Sequence, residues 1–128
     1  MDVTVQTTFA DPLPAWVGQA DGADRLIASR ETATGHCFFP PIPASSPLAG
    51  RYQPVTLSAQ AVLYSFTVIH ASKKANKPPV TLVYADFPEK VRVFGTFEGA
   101  GRPVIGQALA VSFWRDDAGK LHYLFKPA

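Results

Sequence analysis

One cysteine, Cys37, stands among 128 residues. A single thiol excludes an internal disulfide and excludes a zinc site built from several cysteines. Charge is also scarce: Asp, Glu, Lys and Arg make up 17% of the chain, and the net charge is +2. So small an excess leaves no electrostatic footprint of a nucleic-acid binder. No apolar run reaches the length of a membrane span. Met1 to Ala10 lacks the basic start and the apolar stretch of a secretory leader, so a reducing cytoplasm is the expected compartment. What is present is apolar: 47% of residues are hydrophobic, enough for one domain with one core.

The chain divides into three stretches. Residues 1–30 are expected to form an N-terminal arm with a short helix. Asp11 is a candidate helix cap, Pro12 suits a first turn, and Ala15 to Ala20 is the expected helix with Trp16 as its apolar anchor. Gly22 ends it, and Ala23 to Ser29 reads equally as a helical turn or a strand. Residues 31–54 hold five of the twelve prolines and little periodicity, the composition of an irregular loop. Phe38-Phe39-Pro40-Pro41 is its one apolar knot. A loop of this length inside a small domain points to a functional loop or a remnant subdomain.

Residues 55–128 read as β-structure throughout. Ala61 to His70 is a strand of β-branched and aromatic residues, with Val62, Tyr64, Phe66, Val68 and His70 on one face. Val80 to Phe87 and Val91 to Phe97 follow, joined by a turn at Pro88-Glu89-Lys90. A break at Glu98 to Gly106 has room for one helical turn at Pro103 to Ile105. Leu109 to Trp114 and Leu121 to Lys126 then form a hairpin about Asp116-Asp117-Ala118-Gly119, with Gly119 supplying the positive φ. Five short antiparallel strands with a glycine-rich break after the third fit a mainly β fold, the five-stranded Greek-key OB-fold barrel. An SH3-like barrel is the nearest competitor.

The segments Val62 to His70, Pro79 to Asp86, Val91 to Gly99, Ile105-Gly106 and Tyr123 to Ala128 resemble the acyl-CoA-associated OB-fold family. That family is also known as the thirty-fifth domain of unknown function. Its members carry a zinc ribbon before the barrel, with CxxCG, an aromatic-Pro-Pro segment and CPxCG. In this chain Glu31-Thr32-Ala33-Thr34-Gly35 stands for the first element and Phe39-Pro40-Pro41 for the second. Ser46-Pro47-Leu48-Ala49-Gly50 stands for the third. The four ligand positions are therefore Glu31, Thr34, Ser46 and Ala49. Tetrahedral structural zinc needs thiolate or imidazole ligands, so zinc is expected to be absent. The resemblance implies a non-catalytic accessory subunit of a thiolase-like enzyme, a ketoacyl synthase or a MaoC-type hydratase. It also implies coenzyme A or acyl-CoA as ligand.

The candidate sites follow from side-chain chemistry. Lys73, Lys74 and Lys77 cluster after the first barrel strand and are candidates for the CoA phosphates, with Arg92 and Arg102 as possible additions. The plain alternative is a solvated loop that keeps a sheet edge soluble. Trp16, Phe38 and Phe39, with Trp114, are candidates for an acyl or pantetheine groove, against the alternative of core and cover. His70 is a candidate acid or base and Cys37 beside His36 a candidate nucleophile, but no partner falls at a recognisable spacing for either. His122 reads as solvated. Tyr64, Phe66 and Phe94 would be the stacking platforms if the barrel bound single-stranded nucleic acid instead. Unpaired strand edges favour a homo-oligomer when the partner is missing.

Overall fold

Alternating apolar residues make the C-terminal half a sheet, and the register closes that sheet on itself. The computed structural model describes residues 13–70 and 76–128. The expected arm at Met1 to Phe9, the cap at Asp11 and the side chains of Lys73 and Lys74 lie outside them. The strands are β1 (Val17–Ala20), β2 (Ala23–Glu31), β3 (Cys37–Phe38), β4 (Tyr52–Thr56) and β5 (Gln60–Ile69). They continue with β6 (Val80–Phe87), β7 (Val91–Phe97), β8 (Ala108–Arg115) and β9 (Leu121–Pro127). β5 to β9 form a closed barrel in the order β5-β6-β7-β9-β8. This is the OB-fold connectivity, and its strand limits agree with those read from the sequence within two residues. The seam is the parallel pair β7 and β9, matched at Phe97 and Phe125.

The N-terminal stretch differs from its expectation. Val17 to Ala20 is a strand, and among the described residues the helical content is one 310 turn, Ala49–Arg51. The reason is Asp21-Gly22. Both adopt positive φ, 54° and 77°, and close a two-residue hairpin that pairs β1 with β2 from Ala20–Ala23 to Val17–Leu26. Asp-Gly is the preferred dipeptide for that turn. The undecided stretch Ala23 to Ser29 is therefore strand.

The stretch expected to be irregular also carries strands. β2 pairs with β3 along one edge and with β4 along the other, from Glu31–Tyr52 to Ile27–Thr56. Leu26 and Ala28 of β2 are wholly buried beside Leu63, Val83, Val93, Leu109 and Phe125 of the barrel. The small sheet and the barrel thus share one core, and truncating Leu26 to Ala would cost about 2–5 kcal/mol.

Two further details depart from simple alternation. A bulge between Leu63 and Ser65 breaks the pairing of β5 with β6. Val62 and Tyr64 remain outside, but Phe66 turns inward and packs against the core. The expected single face for Val62, Tyr64, Phe66 and Val68 therefore splits at the bulge. The break before β8 forms a turn, not a helical one: Gln107 donates its main-chain N–H to Val104 at 3.0 Å, and Gly106 has φ 92°.

Candidate functional site

The small sheet lies against the barrel wall near the β7–β9 seam, and aromatic residues fill the join. Trp16 precedes β1. Its main-chain carbonyl accepts the Ile27 N–H at 2.8 Å, which fixes the indole over the barrel. The indole stacks on Phe113 of β8, centroids 6.4 Å apart, and meets Tyr123 of β9 edge-on at 5.4 Å. Phe39, just past β3, meets the same tyrosine edge-on at 5.8 Å. Such offset and edge contacts are the favoured aromatic geometries. Trp16, Phe39, Pro40, Phe94 and Tyr123 together line an open groove of about 350 Å³.

Among the described residues no charged side chain lines this groove. Its one hydroxyl is already used, because Tyr123 Oη donates to the Phe94 carbonyl at 2.6 Å. Burial pushes the Tyr123 phenol pKa up, so it stays neutral over the physiological range. The groove suits an uncharged, apolar chain or ring.

Of the expected groove residues, the structure brings together Trp16 and Phe39. Phe38 points the other way, against Tyr52 of β4 at 6.1 Å. Trp114 lies on the outer hairpin, stacked on His122 at 4.4 Å. Phe94 and Tyr123 were not read as groove residues. Phe94 carried a signal, since it falls on the outward face of β7 between Arg92 and Thr96, where an aromatic has no core to join.

The basic candidates separate. Lys77 is exposed just before β6. Arg92 stands in the row Val62–Asp86–Arg92, at the far end of β6 from Val80. Six residues of strand put it about 20 Å from Val80, the end of β6 that follows Lys77. Its guanidinium is also engaged, with Nε and Nη2 at 2.6 and 3.0 Å from the Asp86 carboxylate and Cζ 3.3 Å from the centre of the Tyr64 ring. The hydrogen bond to Asp86 holds the Arg92 pKa up. A groove of about 450 Å³ borders this pair, lined by Asp86, Phe87, Lys90, Val91 and Arg92. Arg102 lies over Phe66 at 5.7 Å.

The remaining candidates are His70, Cys37 and His122. His70 is exposed beyond the end of β5. Among the described residues its ring makes no hydrogen bond to Asp, Ser or Cys. The Cys37 thiol lies 4.0 Å from the Gly35 carbonyl and not on His36. His122 is not merely solvated, because its Nε2 is 2.9 Å from Asp116 Oδ2.

The ribbon positions do not fit zinc. Thr34 Oγ1 donates to Glu31 Oε1 at 2.5 Å, and Ser46 Oγ accepts the Leu48 N–H at 3.1 Å. Among the described residues no three His, Cys, Asp or Glu side chains gather where a metal could sit. Nor is any helix among them long and apolar enough to cross a membrane.

Comparison with known proteins agrees with the fold. Residues 54–113 match the family described as ChsH2, C-terminal OB-fold domain. The chain is 35% identical over 83 residues to the benzoylsuccinyl-CoA thiolase subunit BbsA of Thauera aromatica. That match covers 63% of this chain and 58% of the relative's length. Among solved structures, the Ltp2-ChsH2(DUF35) aldolase aligns with a TM-score of 0.62 at 20% identity, over 80% of this chain and 84% of that one. A DUF35-family protein of unknown function from Sulfolobus solfataricus aligns with a TM-score of 0.54 at 18% identity, over 81% and 76%.

Proposed function

We propose that this chain, whose barrel matches the ChsH2 C-terminal OB-fold family over residues 54–113, is a non-catalytic accessory subunit of an acyl-CoA-processing enzyme. The partner is a thiolase-like protein, with a ketoacyl synthase or MaoC-type hydratase as the related alternatives. The acyl or pantetheine part of the substrate lies along Trp16, Phe39, Phe94 and Tyr123. Lys73, Lys74 and Lys77 meet the CoA phosphates, and Arg92, held by Asp86, is left out of that role. Chemistry is carried by the partner, and no zinc is required.

The observation that carries this reading is the aromatic groove at the join of sheet and barrel. It offers a place for an apolar ligand and no nucleophile or base to act on it. Similarity to a protein named as a thiolase subunit supports the partner class. Single-stranded nucleic acid is not favoured, because it needs free cations beside stacking rings. Here the cation beside Tyr64 is already paired with Asp86.

Affinity purification from the native cells, followed by mass spectrometry, tests the subunit reading. A thiolase-like, ketoacyl-synthase or hydratase subunit at near-equal stoichiometry is expected. Turnover of acyl-CoA by the isolated chain would overturn the non-catalytic assignment. In the assembled complex, Lys73→Glu, Lys74→Glu and Lys77→Glu together should weaken CoA binding about tenfold or more. An unchanged affinity would remove the lysine assignment and leave the subunit assignment in place.

A further inference from the structure

A sheet face left in water alternates apolar-in and polar-out, whereas a strand covered on both sides is apolar at nearly every position. β5 and β6 have the second pattern: QAVLYSFTVI and VTLVYADF hold a single charged residue, Asp86. The inward residues of these strands fill the barrel. The outward ones should then be polar, yet beside the polar Gln60, Thr67 and Asp86 they include Val62, Tyr64, Ile69, Val80 and Tyr84. Val62, Tyr64, Ile69, Val80, Tyr84 and Phe94 each stand 44–50% exposed on the outer face of β5, β6 and β7. They are half of the large apolar side chains exposed among the described residues. A face this rich in exposed apolar side chains marks an interaction surface.

Its electrostatics narrow the occupant. The only charged outward residues on these three strands are Asp86 and Arg92, and they neutralise each other through a two-pronged pair. Within the three strands the face therefore carries no net charge and suits an uncharged protein surface. By contrast, the β8–β9 hairpin bears Arg115, Asp116, Asp117 and Lys120 at its tip.

Position narrows it further. Phe94 belongs to both features. Its ring packs on Tyr84 at 5.2 Å within the outer face and also lines the aromatic groove. Whatever covers the face thus reaches the edge of the groove. A catalytic subunit seated there would bring its reacting groups to a ligand held in the groove. A second copy of this chain would bring none.

From this we infer that the outer face of β5, β6 and β7 is the docking surface for the thiolase-like partner, which meets the groove along Phe94. The inference rests on the accessory-subunit reading. It assigns the partner to one side of the barrel, away from the β8–β9 hairpin.

The test uses the full chain and the purified thiolase-like subunit recovered with it. Val80→Glu with Tyr84→Glu places two charges on the face at positions that already meet water, so folding is retained. Ile69→Lys is an independent second variant. Trp114→Glu makes the same kind of change on the outer hairpin. Each variant's melting curve is recorded alongside the dissociation constant for the partner. The two face variants should bind at least tenfold more weakly, with Trp114→Glu within twofold of the parent chain. Equal binding by all of them would overturn the docking surface and leave the subunit reading intact. A parent chain that binds no such partner overturns the subunit reading, and the docking surface with it. If the chain alone sediments as a dimer that the face variants dissolve, the face is a self-contact and the inference is wrong. Salt-sensitive binding of an oligonucleotide, lost in the face variants, would also overturn it.

Discussion

The Tyr123 hydroxyl donates to the Phe94 carbonyl at 2.6 Å, tying β9 to β7 where these parallel strands share one matched pair. The bond therefore reinforces the weakest join in the barrel and fixes one wall of the aromatic groove. Removing it with Tyr123→Phe should cost about 0.5–1.5 kcal/mol. The pH dependence is specific. Burial raises the phenol's pKa in the folded chain, so its stabilisation is full below the ordinary tyrosine value of about 10 and is lost as pH rises through the raised value. Melting curves of the parent chain should fall above that pH, and those of Tyr123→Phe should fall less. Parallel curves would show that Tyr123 does not control the alkaline limit.

The β8–β9 hairpin should instead be sensitive to acid. Asp116 accepts the N–H of Ala118 and of Lys120 with Oδ1, each at 2.9 Å, and faces His122 with Oδ2. These contacts, that from His122 first, lower its pKa. The sign is opposite to that for Tyr123. The contribution is present above the unfolded aspartate value of about 3.9 and is lost as pH falls through the lower folded value. The amide resonances of Ala118 and Lys120 should titrate together with a midpoint below 3.9. A midpoint at or above that value would mean that the carboxylate is not held by this turn.

Close packing gives a third prediction, at Gly95. A Cβ built there would lie 2.8 Å from the Phe125 ring and 3.0 Å from the Tyr123 ring. Phe125 is wholly buried and cannot swing away. Gly95→Ala should destabilise the chain by about 1–3 kcal/mol, the usual range for overpacking. Chemical denaturation checks it, and a neutral result would mean that the barrel yields at this point. Gly50→Ala has open space and is the control.

The barrel was legible because its strands are long and its turns carry strong local signals. Gly119 takes φ 83° at the hairpin, and Lys90 takes 66° after Pro88-Glu89. The small sheet was harder to read. β1, β3 and β4 are four, two and five residues long, too short for a period to show. Asp21-Gly22 was a readable hairpin signal, but the cap and proline at Asp11-Pro12 argued for a helix nearby. The bulge in β5 depends on its partner strand, which no local pattern records. The groove was half legible. Trp16 and Phe39 stood out as aromatics among turn residues. Phe38 was separated from Phe39 only by register, since Phe38 of β3 pairs with Ser29 of β2 and faces away. Tyr123 looked like a core position until the join of sheet and barrel placed Trp16 and Phe39 on it.

The stretch of residues 31–54 carries a prediction about metal. A structural zinc ribbon holds its turns through metal bonds and unfolds when the metal is removed. In this chain the first turn is closed by its own hydrogen bonds. Gly35 donates to the Glu31 carbonyl at 2.7 Å, Glu31 donates to the His36 carbonyl at 2.8 Å, and Thr34 Oγ1 bridges to the Glu31 carboxylate. Across the loop, Thr32 donates to the Arg51 carbonyl at 3.0 Å and joins the segments at residues 31–35 and 46–51. The second segment closes with Ala49 donating to the Ser46 carbonyl at 3.0 Å. None of these bonds involves a metal, and Ala49 has no donor atom to offer one. An excess of chelator should therefore leave the melting temperature unchanged, and elemental analysis should find far less than one zinc per chain. A drop of several degrees in chelator, or zinc at one per chain, would mean that residues outside 31–54 complete a metal site and that these hydrogen bonds are not what holds the loop.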